Sequence, residues 1–272
     1  MATEPESMTP LQGLRVLITR PEAQAGNWQQ LLENSGASTL RTPLMAIVPI
    51  DASRAKAYQA IKNIVMDASL YQHGIFVSQN AAYYGLDWLE QYWPQMPIGL
   101  KFYAVGSATA QCLQRVGYPV TAAGGTMNSE ALLALPELQD LSHQRVVIFR
   151  GCGGRPLLGE VLKERGAVVD YCELYERRFL SEGVVDTLNT HQWGQTTDLV
   201  TVHSGETLKH WQAITERSGQ TQWKQLTLLV PGERVAAQAR ESGFTNIVMA
   251  ENASDACMLE TLLNWRSAAA QR

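Results

Sequence analysis

The stretch RVVIFRGCGGRPLL at residues 145–158 places an arginine, a cysteine and three glycines where an apolar run gives way to a helix-like pattern. Glycine-rich turns of this kind can hold phosphates or carboxylates, because their backbone N–H groups converge on an anion. Two common forms are excluded by spacing. A phosphate loop of the G-x-x-x-x-G-K-[ST] type needs a lysine, and Gly154 is followed by Arg155 and Pro156. A dinucleotide fingerprint needs G-x-G-x-x-G, and the run from Gly151 to Pro156 breaks after its second glycine. Two readings stay open: an anion-binding turn, or a tight strand–helix connection with no ligand. Five other turns share the setting: TRPEAQ (19–24), VSQNAA (77–82), VGSATA (105–110), HSGETL (203–208) and PGERVA (231–236). Each follows an apolar run. All six should gather at the carboxyl ends of strands, where open α/β sheets bind ligands.

Other chemistries find little support. His203-Ser204-Gly205 suggests a nucleophile, but the residues before it do not make the G-x-S-x-G elbow. The histidines at 73, 143, 191, 203 and 210 form neither H-x-x-x-H nor H-E-x-x-H, so no metal site is proposed. Cysteines at 112, 152, 172 and 257 have no close pair, which fits a reduced, cytoplasmic setting. Trp88, Tyr92 and Trp93 read as packing residues rather than a stacking platform.

The elements that carry these turns are repeated. GLRVLITRPEAQAGNWQQLLENSGASTL begins at Gly13, and QRVVIFRGCGGRPLLGEVLKERGAVVDY begins at Gln144. With Val16 on Val146, Arg20 meets Arg150 and Gly36 meets Gly166, each 130 apart. A second pair aligns Ser78 with Ser204, Gly106 with Gly232 and Gly117 with Gly243, each 126 apart. Two copies of one α/β domain follow from this. Apolar runs at 14–19, 75–77, 102–105, 145–149, 198–202 and 226–230 suit strands of a parallel sheet buried on both faces. Helical spacing puts Ala25, Trp28 and Leu32 on one face, and Ala110, Leu113 and Val116 on another. Gly36, Gly117, Gly166 and Gly243 stand where helices should stop. Strand–helix–strand order predicts right-handed crossovers and a doubly wound sheet.

The copies can be sequential, or one can be inserted in the other. TPLMAIVPI (42–50) and CELYERRF (172–179) hold matching places, with Leu44 opposite Leu174, as two crossing strands of a hinge would. This favours residues 1–46 with 178–272 as one discontinuous domain, 48–172 as an inserted domain, and hinge strands near 42–50 and 172–179.

Composition agrees with a globular chain. Of 272 residues, 45% are hydrophobic and 18% charged. A net charge of −4 lacks the basic excess of a general nucleic-acid binder. No run of 18 apolar residues offers a membrane span. The start, MATEPESMTPLQ, has no apolar core of a secretory signal.

The chain resembles the uroporphyrinogen-III synthase family in LITRPEAQA (17–25), IFVSQNAA (75–82), YAVGSATAQCLQRVG (103–117), FRGCGGRPLL (149–158), GAVVDYCELYERR (166–178) and VPGERVAAQARESG (230–243). The likeness extends from about Leu14 to Leu263. It implies two flavodoxin-like doubly wound parallel-sheet domains, joined by a two-stranded β-ladder hinge, with the active site between them. It also implies a reaction without cofactor or metal. The substrate would be linear hydroxymethylbilane, a tetrapyrrole with eight carboxylates. The enzyme would remove water, invert the terminal pyrrole through a spiro intermediate and close the ring. A monomer is expected, with transient contact to the preceding enzyme of the pathway and no nucleic-acid or membrane partner.

Under that resemblance Tyr175, in ELYERR, is the candidate catalytic residue, as hydrogen-bond donor to the leaving hydroxyl; its alternative role is a strand aromatic. Uncatalysed closure proceeds without inversion, so positioning is the main task, and it can supply up to roughly 7–11 kcal/mol. A chain of net charge −4 cannot attract a polyacid in bulk, so local donors must do so. Candidates for substrate binding are Arg20, Arg150, Arg155 and Arg234, each with surface exposure or a pair with Glu22, Glu160 or Glu233 as the alternative. Ser78, Gln79, Asn80, Ser107, Thr109 and Ser204 are carried over as contacts, the hydroxyl residues also being able to cap helices. Gly106, Gly153 and Gly232 offer backbone contact. The chain departs from the family at Gly232-Glu233-Arg234, where relatives often carry hydroxyls, and at Val77, where they often have threonine. A two-lobed binding or regulatory protein without catalysis is the alternative reading.

Overall fold

The computed structural model describes residues 9–122, 129–194 and 198–270. Its strands among these are β1 (Arg15–Ile18), β2 (Ser38–Arg41), β3 (Met45–Pro49), β4 (His73–Phe76), β5 (Lys101–Ala104), β6 (Val120–Ala122), β7 (Arg145–Gly151), β8 (Val168–Phe179), β9 (Asp198–Thr201), β10 (Thr227–Pro231) and β11 (Ile247–Ala250). The chain separates into two compact units. Unit 1 is Met1–Ala46 with Arg178–Arg272, and unit 2 is Ile47–Arg177.

Unit 1 holds a parallel sheet in the order β2-β1-β9-β10-β11. In unit 2 the order is β3-β8-β7-β4-β5-β6, and the five strands from β8 to β6 pair in parallel. The sequence repeat equates β1 with β7, β2 with β8, β9 with β4 and β10 with β5. Under that equation both sheets have one order, the 2-1-3-4-5 of flavodoxin-like folds. The chain merely enters at different points: unit 1 starts with its strand–helix–strand pair and unit 2 ends with it. The fold class is therefore α/β with two similar parallel-sheet domains. β3 lies beside β8, and the divide between units falls within both strands.

Local physics accounts for the elements. β4 and β9 are buried along their whole length, as parallel strands covered on both faces must be. Helix Glu22–Asn34 buries the expected Ala25, Trp28 and Leu32. Helix Ser107–Arg115 buries Ala110 and Leu113, but Val116 is 53% exposed, contrary to the spacing. The helix has ended before it, and Gly117, at φ +87°, turns the chain away. One irregularity bears on function. Arg150 stands opposite Glu173, but Gly151 stands opposite Tyr175, so Leu174 is an extra residue in β8. The bulge buries both Leu174 and Tyr175. Among the described residues no helix is long and apolar enough to cross a membrane.

Candidate active site

At the carboxyl ends of β4, β5 and β7, unit 2 encloses a cavity of about 370 Å³. Ser78, Arg150, Gly153, Arg155 and Tyr175, all expected at the site, line it. Arg177 and one carboxylate, Glu130, line it as well, so cationic side chains outnumber acidic ones on its wall in a protein of net charge −4.

Each side chain is set by its element. Ser78 follows β4 with extended backbone and caps helix Gln79–Tyr92, its Oγ accepting the Ala81 N–H at 3.0 Å. Its repeat partner Ser204 caps helix Gly205–Ser218 in the same way, accepting the Thr207 N–H at 3.1 Å. Arg150 is 6% exposed. Its Nε donates to the Gly151 carbonyl at 3.3 Å, and its guanidinium lies 4.9 Å over the Tyr171 ring. It meets no carboxylate among the described residues. Gly154 makes room for it, since a Cβ there would come within 2.1 Å of Arg150 Nη2. Tyr175 is 1% exposed, more enclosed than a tyrosine presented openly to substrate. Its hydroxyl lies 2.9 Å from Ser78 Oγ.

The remaining candidates divide. Gln79 is exposed and Asn80 half-buried at the start of their helix, outside the cavity lining. Gly106, at φ +95°, is itself the N-cap of helix Ser107–Arg115 and provides no side-chain cap. Ser107 is thus the first helical residue rather than a cap, and Thr109 is 3% exposed, turned into the fold.

In unit 1, Arg20 binds Asp255 at 2.5 Å, not Glu22, which binds Arg41 instead. Asn27 also donates to Asp255, at 2.7 Å. Gly232, at φ +67°, opens helix Gly232–Glu241. Arg234 is exposed, and Glu233 pairs with Arg240 at 2.6 Å rather than with Arg234. His203, beside Ser204, meets the Trp28 ring edge-on at 5.6 Å. Its ring nitrogens have no hydrogen-bond partner among the described residues. Burial, then the nearby Arg20, pushes its pKa down to about 3, with Asp255 opposing.

Sequence reasoning missed Tyr171 and Glu130 as wall residues. Tyr171 precedes Tyr175 by four residues in the same strand, and the two tyrosines of DYCELY were its available signal. Glu130 lies in the first turn of a short helix, Ser129–Leu133, that no strand-end pattern announces.

Comparison with known proteins converges. The family model described as "Uroporphyrinogen-III synthase HemD" matches residues 26–260. Uroporphyrinogen-III synthase of Salmonella typhimurium is 38% identical over 189 residues, covering 68% of this chain and 76% of the relative. The protein of that name from Escherichia coli K12 is 32% identical over 253 residues, 92% of this chain and 100% of the relative. Among solved structures, a mutant uroporphyrinogen III synthase of Thermus thermophilus superposes with a TM-score of 0.61 at 17% identity, covering 95% of this chain and 100% of that one. The Helicobacter pylori enzyme gives 0.57 at 17% identity, with 93% and 99% covered. At that identity the two structures speak for the fold; the sequence matches speak for kinship. The chain belongs to the uroporphyrinogen-III synthase family.

Proposed function

We propose that the chain converts linear hydroxymethylbilane to uroporphyrinogen III, removing water, inverting the terminal ring and closing the macrocycle. The observation that carries this is the match to the Escherichia coli relative over that protein's entire length. The unit 2 cavity supports it chemically. The substrate is a polyacid, and the cavity wall holds a buried guanidinium with no carboxylate partner of its own among the described residues. Arg150 takes one substrate carboxylate, with Arg155 and the Gly153 backbone at the rim. The hydroxyl pair Tyr175–Ser78 serves the oxygen that leaves. The carbon–oxygen bond breaks with its electron pair on oxygen, pyrrole nitrogen donates into the vacated carbon, and the proton released on ring closure balances the one that makes water. On unit 1, Ser204 caps the helix after β9, and Gly232 and Arg234 stand in the first turn of the helix after β10, which are carboxylate-binding positions of that unit's own. Free cysteines suit a reducing cytoplasm as its setting.

The test is direct. Freshly made hydroxymethylbilane is supplied to the purified chain, and the oxidised products are resolved by chromatography. The type III isomer should dominate. A product that stays type I, with the chain binding bilane, would establish a binding protein instead.

A further inference from the structure

Tyr175 and Ser78 share a hydrogen bond in which either hydroxyl can donate. Tyr175 is 1% exposed, and Ser78 Oγ, at 2.9 Å, is the hydrogen-bond partner of its hydroxyl among the described residues. Burial of the phenol favours the arrangement in which Tyr175 donates and Ser78 accepts. Ser78 Oγ also accepts the Ala81 N–H at 3.0 Å. A serine oxygen has two lone pairs and one proton. In that arrangement both pairs are occupied and the proton is left for the cavity. Ser78 is half-buried and lines the cavity.

We propose that Ser78 is the residue that meets the substrate, as an obligate hydrogen-bond donor to an oxygen that carries or gains negative charge, and that Tyr175 is a positioning residue acting through it. This rests on the ring-closing activity proposed above. The two bonds that Ser78 accepts polarise its own O–H. It stands at a helix N-terminus, where the backbone field favours a negatively charged partner. Gly151 completes the device. A Cβ there would come within 2.6 Å of the Tyr175 ring, so any other residue displaces the ring from its place beside Ser78. The bulge at Arg150 and Gly151 sets Tyr175 opposite that glycine.

Steady-state kinetics and isomer ratio on a small variant set decide the matter. Ser78→Ala should lose about 100-fold in kcat/KM, the scale of a positioned proton donor, and more than Tyr175→Phe. The double variant should match Ser78→Ala, because the tyrosine works only through the serine. Ser78→Thr, which keeps both cap and hydroxyl, should recover most of the lost kcat/KM. Ser78→Asp keeps the cap and the melting temperature but has no proton to give, and should stay low. Gly151→Ala should reproduce the Tyr175→Phe loss. A fall in kcat assigns the acceptor as the leaving hydroxyl, and a rise in KM assigns it as a carboxylate; either supports Ser78. If Tyr175→Phe is the more damaged single variant, or Ser78→Asp remains active, the assignment is overturned and the activity stands. A wild-type chain yielding only type I product overturns both.

Discussion

Arg150 holds its charge almost out of water, against one backbone carbonyl and the face of Tyr171. Burying a guanidinium costs several kcal/mol, and only a paired anion offsets much of that. In the free protein the described residues provide none; a polycarboxylate would. Arg150→Met should therefore raise Tm while cutting kcat/KM roughly 10–100-fold, the worth of a charge-assisted hydrogen bond, mostly through KM. Thermal melts and steady-state kinetics check this, and a destabilised variant with unchanged KM would make Arg150 part of the scaffold. His203 behaves in the opposite sense, since it is buried uncharged. An unfolded chain protonates this histidine near its ordinary 6.5, the folded one only near 3. Between those values the unfolded state binds more protons, so stability falls as pH drops from 6.5 towards 3, by at most about 1.4 kcal/mol per pH unit. Arg20 steepens the effect and Asp255 softens it. His203→Phe should flatten that limb in urea titrations from about pH 6.5 down to about pH 4; an unchanged slope would mean that other groups cause it.

Helix ends show how far element-level reasoning reaches. Gly117 and Gly166, both in unit 2, stop their helices at φ +87° and +92°. A Cβ on Gly117 would meet open space, whereas one on Gly166 would lie 3.1 Å from Ser142 Cα. Gly117→Ala should cost about 1–2 kcal/mol, the backbone strain alone, and Gly166→Ala should cost more. Equal shifts in urea midpoint at constant slope would show that the contact adds nothing. These glycines were legible in the sequence because a helix stop needs one residue type at one place. The strands were legible too, since a strand buried on both faces must be apolar throughout, and the repeat turned six such runs into two sheets. The site was legible only in part. Ser78 and Arg150 stand at strand ends, which the pattern marks. That Arg20 pairs with Asp255, 235 residues away, is a tertiary fact without a local signature. So is the Tyr175–Ser78 bond, which depends on an extra residue in β8 that period-two reading does not reveal.

At the scale of the whole molecule, the chain leaves unit 1 after Ala46 and returns to it at Arg178. What it leaves behind is complete. The sheet β2-β1-β9-β10-β11 has all five strands, and each face carries its own core. Leu17, Val200, Trp211 and Leu228 pack on one side, with Val16, Trp28, Leu199 and Leu229 on the other, all from this unit. The cut ends are also close, because the Leu180 N–H donates to the Leu44 carbonyl at 3.0 Å. A two-residue Asn-Gly turn can therefore join Ala46 to Arg178, the loop length and type that suit adjacent antiparallel strands. The resulting chain, without Ile47–Arg177, should fold cooperatively, with protected amides in β1, β9 and β10. It should lack the ring-closing activity, because the cavity with Arg150 and Ser78 has gone. Circular dichroism melts and hydrogen exchange give the readout. A broad, non-cooperative melt would mean that unit 1 needs the inserted residues to hold its sheet, and the two copies would then be one folding unit despite their separate cores.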